Sequence, residues 1–211
     1  MTLMNNFYKA FNKDSRHVYK RHNSLPRVLF LSDEGRIKDP YKIIKAMPQN
    51  SGIILRDYNN PARQELINTI TQMAEKHRLT LFIANNGEAN NSYKGVKHHH
   101  HQHWPNSGRA GQRRGGRYQL ITTSAHNLAD VGRANRLNVD AIFISPVFNT
   151  KSHPEKKPLN IHKFARLAKM VKMPVYALGG INSKTARPII KYGIAYGIAG
   201  ISLFEKTNQK N

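Results

Sequence analysis

Residues 118–145 read YQLITTSAHNLADVGRANRLNVDAIFIS, and their reading decides the fold. The stretch opens on a β-branched run, Tyr118–Thr123. It then changes to a helical period over Asn127–Leu137, with Leu128, Val131, Ala134 and Leu137 on one face. Asn127 stands where a helix cap is wanted. A second apolar run, Ala141–Ser145, follows directly. Strand, helix and strand in so short a space imply a crossover connection, and hence parallel pairing.

The same rhythm extends in both directions. Apolar runs stand at Val28–Ser32, Gly52–Arg56, Thr80–Ala84, a weaker Gly95–His98, then Pro174–Leu178 and Gly197–Ser202. Between them, Pro61–His77 carries Leu66, Ile67, Ile70 and Met73 on one face, with Pro61 at its first turn. Ile161–Val171 carries Phe164, Leu167, Ala168 and Val171. Ser183 is expected to cap a helix running to Tyr192, which Gly193 ends. Eight such units predict a small (β/α)8 barrel, an α/β TIM barrel over residues 27–206. An open doubly wound sheet, usually of fewer strands, is the alternative.

Composition bounds the rest. The chain has 211 residues, 39% hydrophobic and 22% charged, which suits a globular protein of one domain or two small ones. It has no cysteine, which excludes a disulfide scaffold, a thiolate metal site and a cysteine nucleophile. No apolar run is long enough to span a membrane, and no secretory signal is read at the N-terminus, so a cytoplasmic or other reducing compartment is expected. Lys and Arg number 34 against 12 acidic residues, a formal charge of +22. A field of that sign attracts polyanions, whether nucleic acid, phosphorylated metabolites or an anionic surface.

Two segments concentrate the charge. Residues 1–26 form a basic extension with Lys9, Lys13, Arg16, Lys20 and Arg21 against Asp14, and Leu3, Phe7, Ala10 and Phe11 fall at helical spacing. It reads as a helix capping the body, an anion-binding arm or a targeting piece. Residues 97–117, KHHHHQHWPNSGRAGQRRGGR, hold five His, five Lys or Arg, four Gly and no acid. Such a run cannot bury a face and is expected to be a mobile loop after strand four.

Four blocks stand out in the second half: SAH at Ser124–His126, SPVFNTKSHP at Ser145–Pro154, ALGGI at Ala177–Ile181 and GIAGIS at Gly197–Ser202. In their order and spacing they resemble the thiamine phosphate synthase family, which includes thiazole tautomerase-like proteins. ILRDY at Ile54–Tyr58 and FIANN at Phe82–Asn86 match more weakly. The resemblance implies a TIM barrel that joins hydroxymethylpyrimidine diphosphate to thiazole phosphate and releases pyrophosphate. It implies diphosphate contacts from Arg56 and Ser124, taken as the catalytic pair. It implies substrate contacts from Asn85, Thr150, Ser152 and His153, and a thiazole phosphate pocket built on Gly179, Gly180 and Ser202. Departure of the diphosphate places negative charge on the leaving group, which a fork of guanidinium donors suits. Paired glycines let backbone N–H groups approach a phosphate.

The family pattern also implies Mg2+, and here the chain departs from it. Asn86 stands where the first Asp ligand belongs, and the loop for the second is the His-rich run. Ile54 and Tyr58 replace the family's Gln and Lys, and His153 replaces the lysine of the strand-six loop. His98, His99, His100, His101 and His103 are candidate ligands for a softer metal, since imidazole suits Zn, Ni or Cu rather than Mg. Lys97, Arg109, Arg113 and Arg114 are alternative partners for a diphosphate. His126 is read as a proton shuttle or a helix cap. The functional expectation is thus a divergent thiamine phosphate synthase. The alternatives are an inactive barrel reused as a basic RNA- or ribonucleoprotein-binding protein, and a phosphate binder without transfer chemistry.

Overall fold

The computed structural model describes residues 25–85, 97–100, 113–114, 117–118, 121–137 and 139–204. Eight parallel strands close into a barrel: β1 (Val28–Leu31), β2 (Gly52–Leu55), β3 (Thr80–Asn85), β4 (Lys97–His100), β5 (Ile121–Ala125), β6 (Ala141–Ile144), β7 (Val175–Ala177) and β8 (Gly197–Gly200). Each pairs with its sequence neighbours, and β8 returns to β1 through Val28↔Ile198, Leu29↔Ala199 and Phe30↔Gly200. The TIM barrel read from the sequence is therefore the observed fold, and the open sheet is not. Closure leaves no strand edge exposed.

Strands β1, β2, β6, β7 and β8 are apolar on both faces because side chains fill the barrel and helices cover it. In β1, β2, β6, β7 and β8 every residue is buried. Phe143 of β6 and Tyr176 of β7 are side by side in the register and stack at 4.7 Å. The described helices are α1 (Pro40–Ala46), α2 (Arg63–Lys76), α3 (Leu128–Leu137), α4 (Asn160–Lys169) and α5 (Ala186–Lys191). In α2, Leu66, Ile67, Ile70 and Ala74 are buried, the face that the sequence period marks. Asn127 caps α3 as expected, its Oδ1 accepting the Asp130 N–H at 3.0 Å.

Several boundaries differ from expectation for local reasons. Helix α1 has an Asp39 cap and Pro40 in its first turn, but seven residues are too few to show a period. Asn182, not Ser183, caps the turn before α5: its Oδ1 accepts from the N–H groups of Lys184 and Thr185. The fourth strand is Lys97–His100, two residues beyond the expected run, and pairs with β3 and β5. His99 and His100 are consequently strand residues, with His98, rather than loop residues. Backbone ladder bonds do not require the apolar side chains on which the sequence reading relied. Arg113–Arg114 pair antiparallel with Arg117–Tyr118, so Tyr118 belongs to this short ladder and β5 begins at Ile121.

At the base of the barrel, Tyr176 Oη donates to the Pro26 carbonyl and Tyr196 Oη donates to the Leu25 carbonyl at 2.8 Å. The Arg27 guanidinium lies 3.6 Å over the Tyr196 ring and donates to the Tyr196 carbonyl. Leu25 and Pro26, assigned to the extension by charge, are thus seated against the barrel. The remainder of the extension, residues 1–24, lies outside the described residues.

Candidate functional site: a cationic cavity at the mouth of the barrel

The segments that follow β1, β2, β5, β6, β7 and β8 converge on one cavity at the C-terminal end of the strands, where this fold places its sites. Arg56, His126, Thr150, Ser152, His153, Gly179, Gly180 and Ser202 all line it, so eight of the sequence candidates meet there. Arg36 and Lys156 join them.

Arg56 follows directly on β2 and is fixed from three directions. Its backbone N–H donates to Ser32 Oγ at 2.8 Å, its Nε to the Ser32 carbonyl at 3.0 Å, and its Nη2 to Asp33 Oδ2 at 3.0 Å. Ser32 Oγ in turn donates to the buried Asp57 carboxylate. Ser32 therefore serves both ends: its carbonyl holds the Arg56 guanidinium, and its hydroxyl joins the Arg56 backbone to the acid. Asp33 moderates the charge of Arg56, and both side chains are 21% exposed.

The turn after β7 is shaped by the loop after β6. Gly179 and Gly180 have φ of +89° and +67°. A Cβ at Gly179 would lie 2.6 Å from Pro146 Cα, and one at Gly180 would collide with the Asn149 carbonyl oxygen. The Val147 and Phe148 N–H groups donate to the Leu178 and Gly179 carbonyls at 2.9 and 3.1 Å. The glycine pair is thus demanded both by left-handed backbone and by contact with the loop that carries Thr150 and Ser152. Thr150 Oγ1 accepts the Ser152 N–H at 3.3 Å.

Arg36 links the loops after β6 and β8 at the mouth. Its Nη1 donates to Ser152 Oγ at 3.1 Å and its Nη2 to Ser202 Oγ at 3.0 Å. Sequence reasoning missed it because the loop after β1 carries none of the family blocks. Lys156 was also missed. It supplies an ammonium three residues beyond His153, the position where the family pattern has lysine, while His153 itself faces Glu155 at 3.4 Å in the open.

Ser124 is placed differently from the others. Because β5 runs on to Ala125 instead of ending at Thr123, it is a strand residue, buried and outside the cavity lining. The first residue beyond β5 is His126, which does line the cavity. His126 Nδ1 bonds the Ser145 carbonyl at 2.8 Å, which fixes it as the protonated nitrogen. Its buried Nε2 has no protein partner among the described residues. Asn85 ends β3 and its side chain lies outside the described residues, as do Asn86, His101, His103 and the side chains of His98, His99 and His100.

The donor set suits an anion. Arg36, Arg56 and Lys156 line the cavity together with hydroxyls and backbone, and no carboxylate is among the described lining residues. Asp33 and Asp57, at the ends of β1 and β2, are engaged by Arg56 and Ser32. Among the described residues no three His, Asp or Glu side chains gather as metal ligands. These residues do not fit the hard, oxygen-rich coordination of Mg2+.

Comparison with known proteins agrees with this geometry. The sequence pattern of thiamine monophosphate synthase matches residues 31–204. The chain belongs to this family. A relative in Aquifex aeolicus is 42% identical over 85 residues, 40% of this chain and 45% of that protein. The thiamine-phosphate synthase of Prochlorococcus marinus subsp. pastoris is 34% identical over 80 residues, 38% of this chain and 23% of that protein. The matched stretch spans less than half the length of these relatives. In structure, the barrel is similar to thiamine phosphate pyrophosphorylase from Pyrococcus furiosus, with a TM-score of 0.64 over 88% of this chain and 94% of that one. Their 18% identity carries the fold alone.

Proposed function

We propose that this thiamine monophosphate synthase family member is a transferase that joins hydroxymethylpyrimidine diphosphate to thiazole phosphate. The observation that carries the reading is the meeting of Arg56, Arg36, Lys156 and the Gly179–Gly180 turn on one opening. Two anionic substrates need such a place, and the family supplies the pair. In the reaction, the bond between the pyrimidine methylene carbon and the diphosphate oxygen breaks, and its electron pair leaves with pyrophosphate. The thiazole nitrogen lone pair forms the new bond to that carbon. No net proton transfer is required. The protein's part is to hold the two anions apart and to stabilise charge on the departing oxygens. Arg56, pinned by Ser32 and Asp33, is suited to the diphosphate end. Thr150, Ser152, Ser202 and the glycine turn suit the monophosphate end. Mg2+, expected from the family, is a part of the reading that the described cavity does not supply with carboxylates.

The test is turnover by the full chain with both substrates, with Mg2+, Mn2+ and Zn2+ supplied separately. The expected result is one thiazolium product per pyrophosphate, and loss of most turnover in Arg56→Met. No product under any of these conditions would refute the transferase reading. A steep salt dependence of RNA affinity in the same inactive chain would favour the basic binding protein instead.

A further inference from the structure

We propose that Arg36 is a positioning residue that turns Ser152 and Ser202 into paired donors for a terminal phosphate. The inference rests on the transferase reading for its substrate, the monophosphate end of the thiazole partner, but its chemistry stands on Arg36 alone.

Arg36 sits in the segment between β1 and α1. Its own N–H and that of Ile37 both donate to the Asp33 carbonyl, at 3.1 and 2.8 Å, and buried Ile37 anchors the turn in the core. From this fixed base the guanidinium reaches two hydroxyls that are 116 and 166 residues away in sequence. Three segments, after β1, β6 and β8, therefore close on a single side chain. A guanidinium has donors only, so each serine oxygen must accept from it. Each hydroxyl keeps one proton, and that proton must be given to something else. Both serines line the cavity beside Gly179 and Gly180. An oxyanion seated there receives two O–H donors already polarised by a neighbouring cation, which shortens and strengthens such bonds. The planar fork is what makes this work. An ammonium at the same place has charge but cannot hold two oxygens at fixed separation.

The experiment is calorimetric titration of the full chain with inorganic phosphate, for the wild type, Arg36→Met, Arg36→Lys, the double variant Ser152→Ala/Ser202→Ala, and the triple variant with Arg36→Met. Arg36→Met is expected to weaken phosphate about 10- to 100-fold, the scale of charge-assisted bonds, and Arg36→Lys to recover only part of it. The triple variant is expected to be hardly weaker than the double, because guanidinium and hydroxyls act as one unit. Unchanged phosphate affinity in Arg36→Met, or losses that simply add in the triple, would show a mere staple between loops and overturn the proposal. If Arg36→Met fails to fold, Arg36→Lys against the double variant decides the same point. Phosphate binding needs no turnover. An inactive chain with Arg36-dependent affinity sinks the transferase reading and keeps this one, while an active chain indifferent to Arg36 does the reverse.

Discussion

Replacing Gly180 by Ala tests whether the turn after β7 is shaped by the loop after β6. The backbone at Gly180 has φ of +67°, a region that costs a residue with a Cβ about 1 kcal/mol. Beyond that, the new methyl would run into the Asn149 carbonyl oxygen and lie 2.8 Å from Phe148 Cβ. Ordinary carbon contacts begin near 3.4 Å, so the two loops must part, at an overpacking cost of about 1–3 kcal/mol. The internal control is Gly193→Ala. Gly193 has φ of +58° and nothing within 4 Å of an added Cβ, so it bears the backbone penalty alone. Urea unfolding should give a loss of about 1 kcal/mol for Gly193→Ala and about 2–4 kcal/mol for Gly180→Ala. In thermal unfolding each kcal/mol is worth about 2–4 °C for a chain of this size. Because Phe148 and Asn149 precede Thr150 and Ser152, Gly180→Ala should also weaken inorganic phosphate, whereas Gly193→Ala should not. Equal destabilisation by the two substitutions would refute the idea that the loop contact demands glycine.

Three further outcomes follow from the same geometry. Ser32→Ala should cost about 1–3 kcal/mol in urea unfolding, because it strips a donor from buried Asp57 and an acceptor from the Arg56 N–H. Burial, reinforced by the neighbouring Tyr196, pushes the Tyr176 phenol well above its ordinary range, against a smaller opposing pull from Arg27. The unfolded chain then loses a proton near pH 10 that the folded chain retains, so stability is full below that pH and declines as pH rises toward the folded value. Tyr176→Phe should remove up to about 1.4 kcal/mol per pH unit of that alkaline slope in unfolding measured at successive pH values. Lys156→Met should weaken inorganic phosphate severalfold at low salt, with the difference shrinking toward about 1 M salt, since Lys156 is exposed and its field is screened.

Much of the fold was legible because parallel barrel strands must be apolar on both faces. Val28–Leu31, Ala141–Ile144 and Gly197–Gly200 stand out as short apolar runs for that reason. Strand β4 was not legible in the same way. Its residues, Lys97 to His100, carry no apolar signal, and the ladder that holds them is backbone. The late end of β5, at Ala125 rather than Thr123, had a consequence for the site: it placed Ser124 in the barrel wall and left His126 at the cavity. The glycine pair, Arg56 and the hydroxyls of the β6 loop were visible through their motif spacing. Arg36 was not, because side-chain reach across loops that are more than 100 residues apart leaves no local pattern in a sequence, and Lys156 was not, because it stands three residues beyond the position of the family's lysine. Asn85 and Asn86, with the His-rich segment beyond β4, fall at or outside the limits of the described residues.

The measurement that bears most directly on the cavity is a crystal structure of the full chain with thiazole phosphate bound. The phosphate is expected between the hydroxyls of Ser152 and Ser202 and the Gly179–Gly180 turn, with Arg36 still spanning both serines and Arg56 facing the space that remains for a diphosphate. A phosphate bound away from the barrel mouth, or a mouth filled by the protein's own side chains, would contradict the assignment.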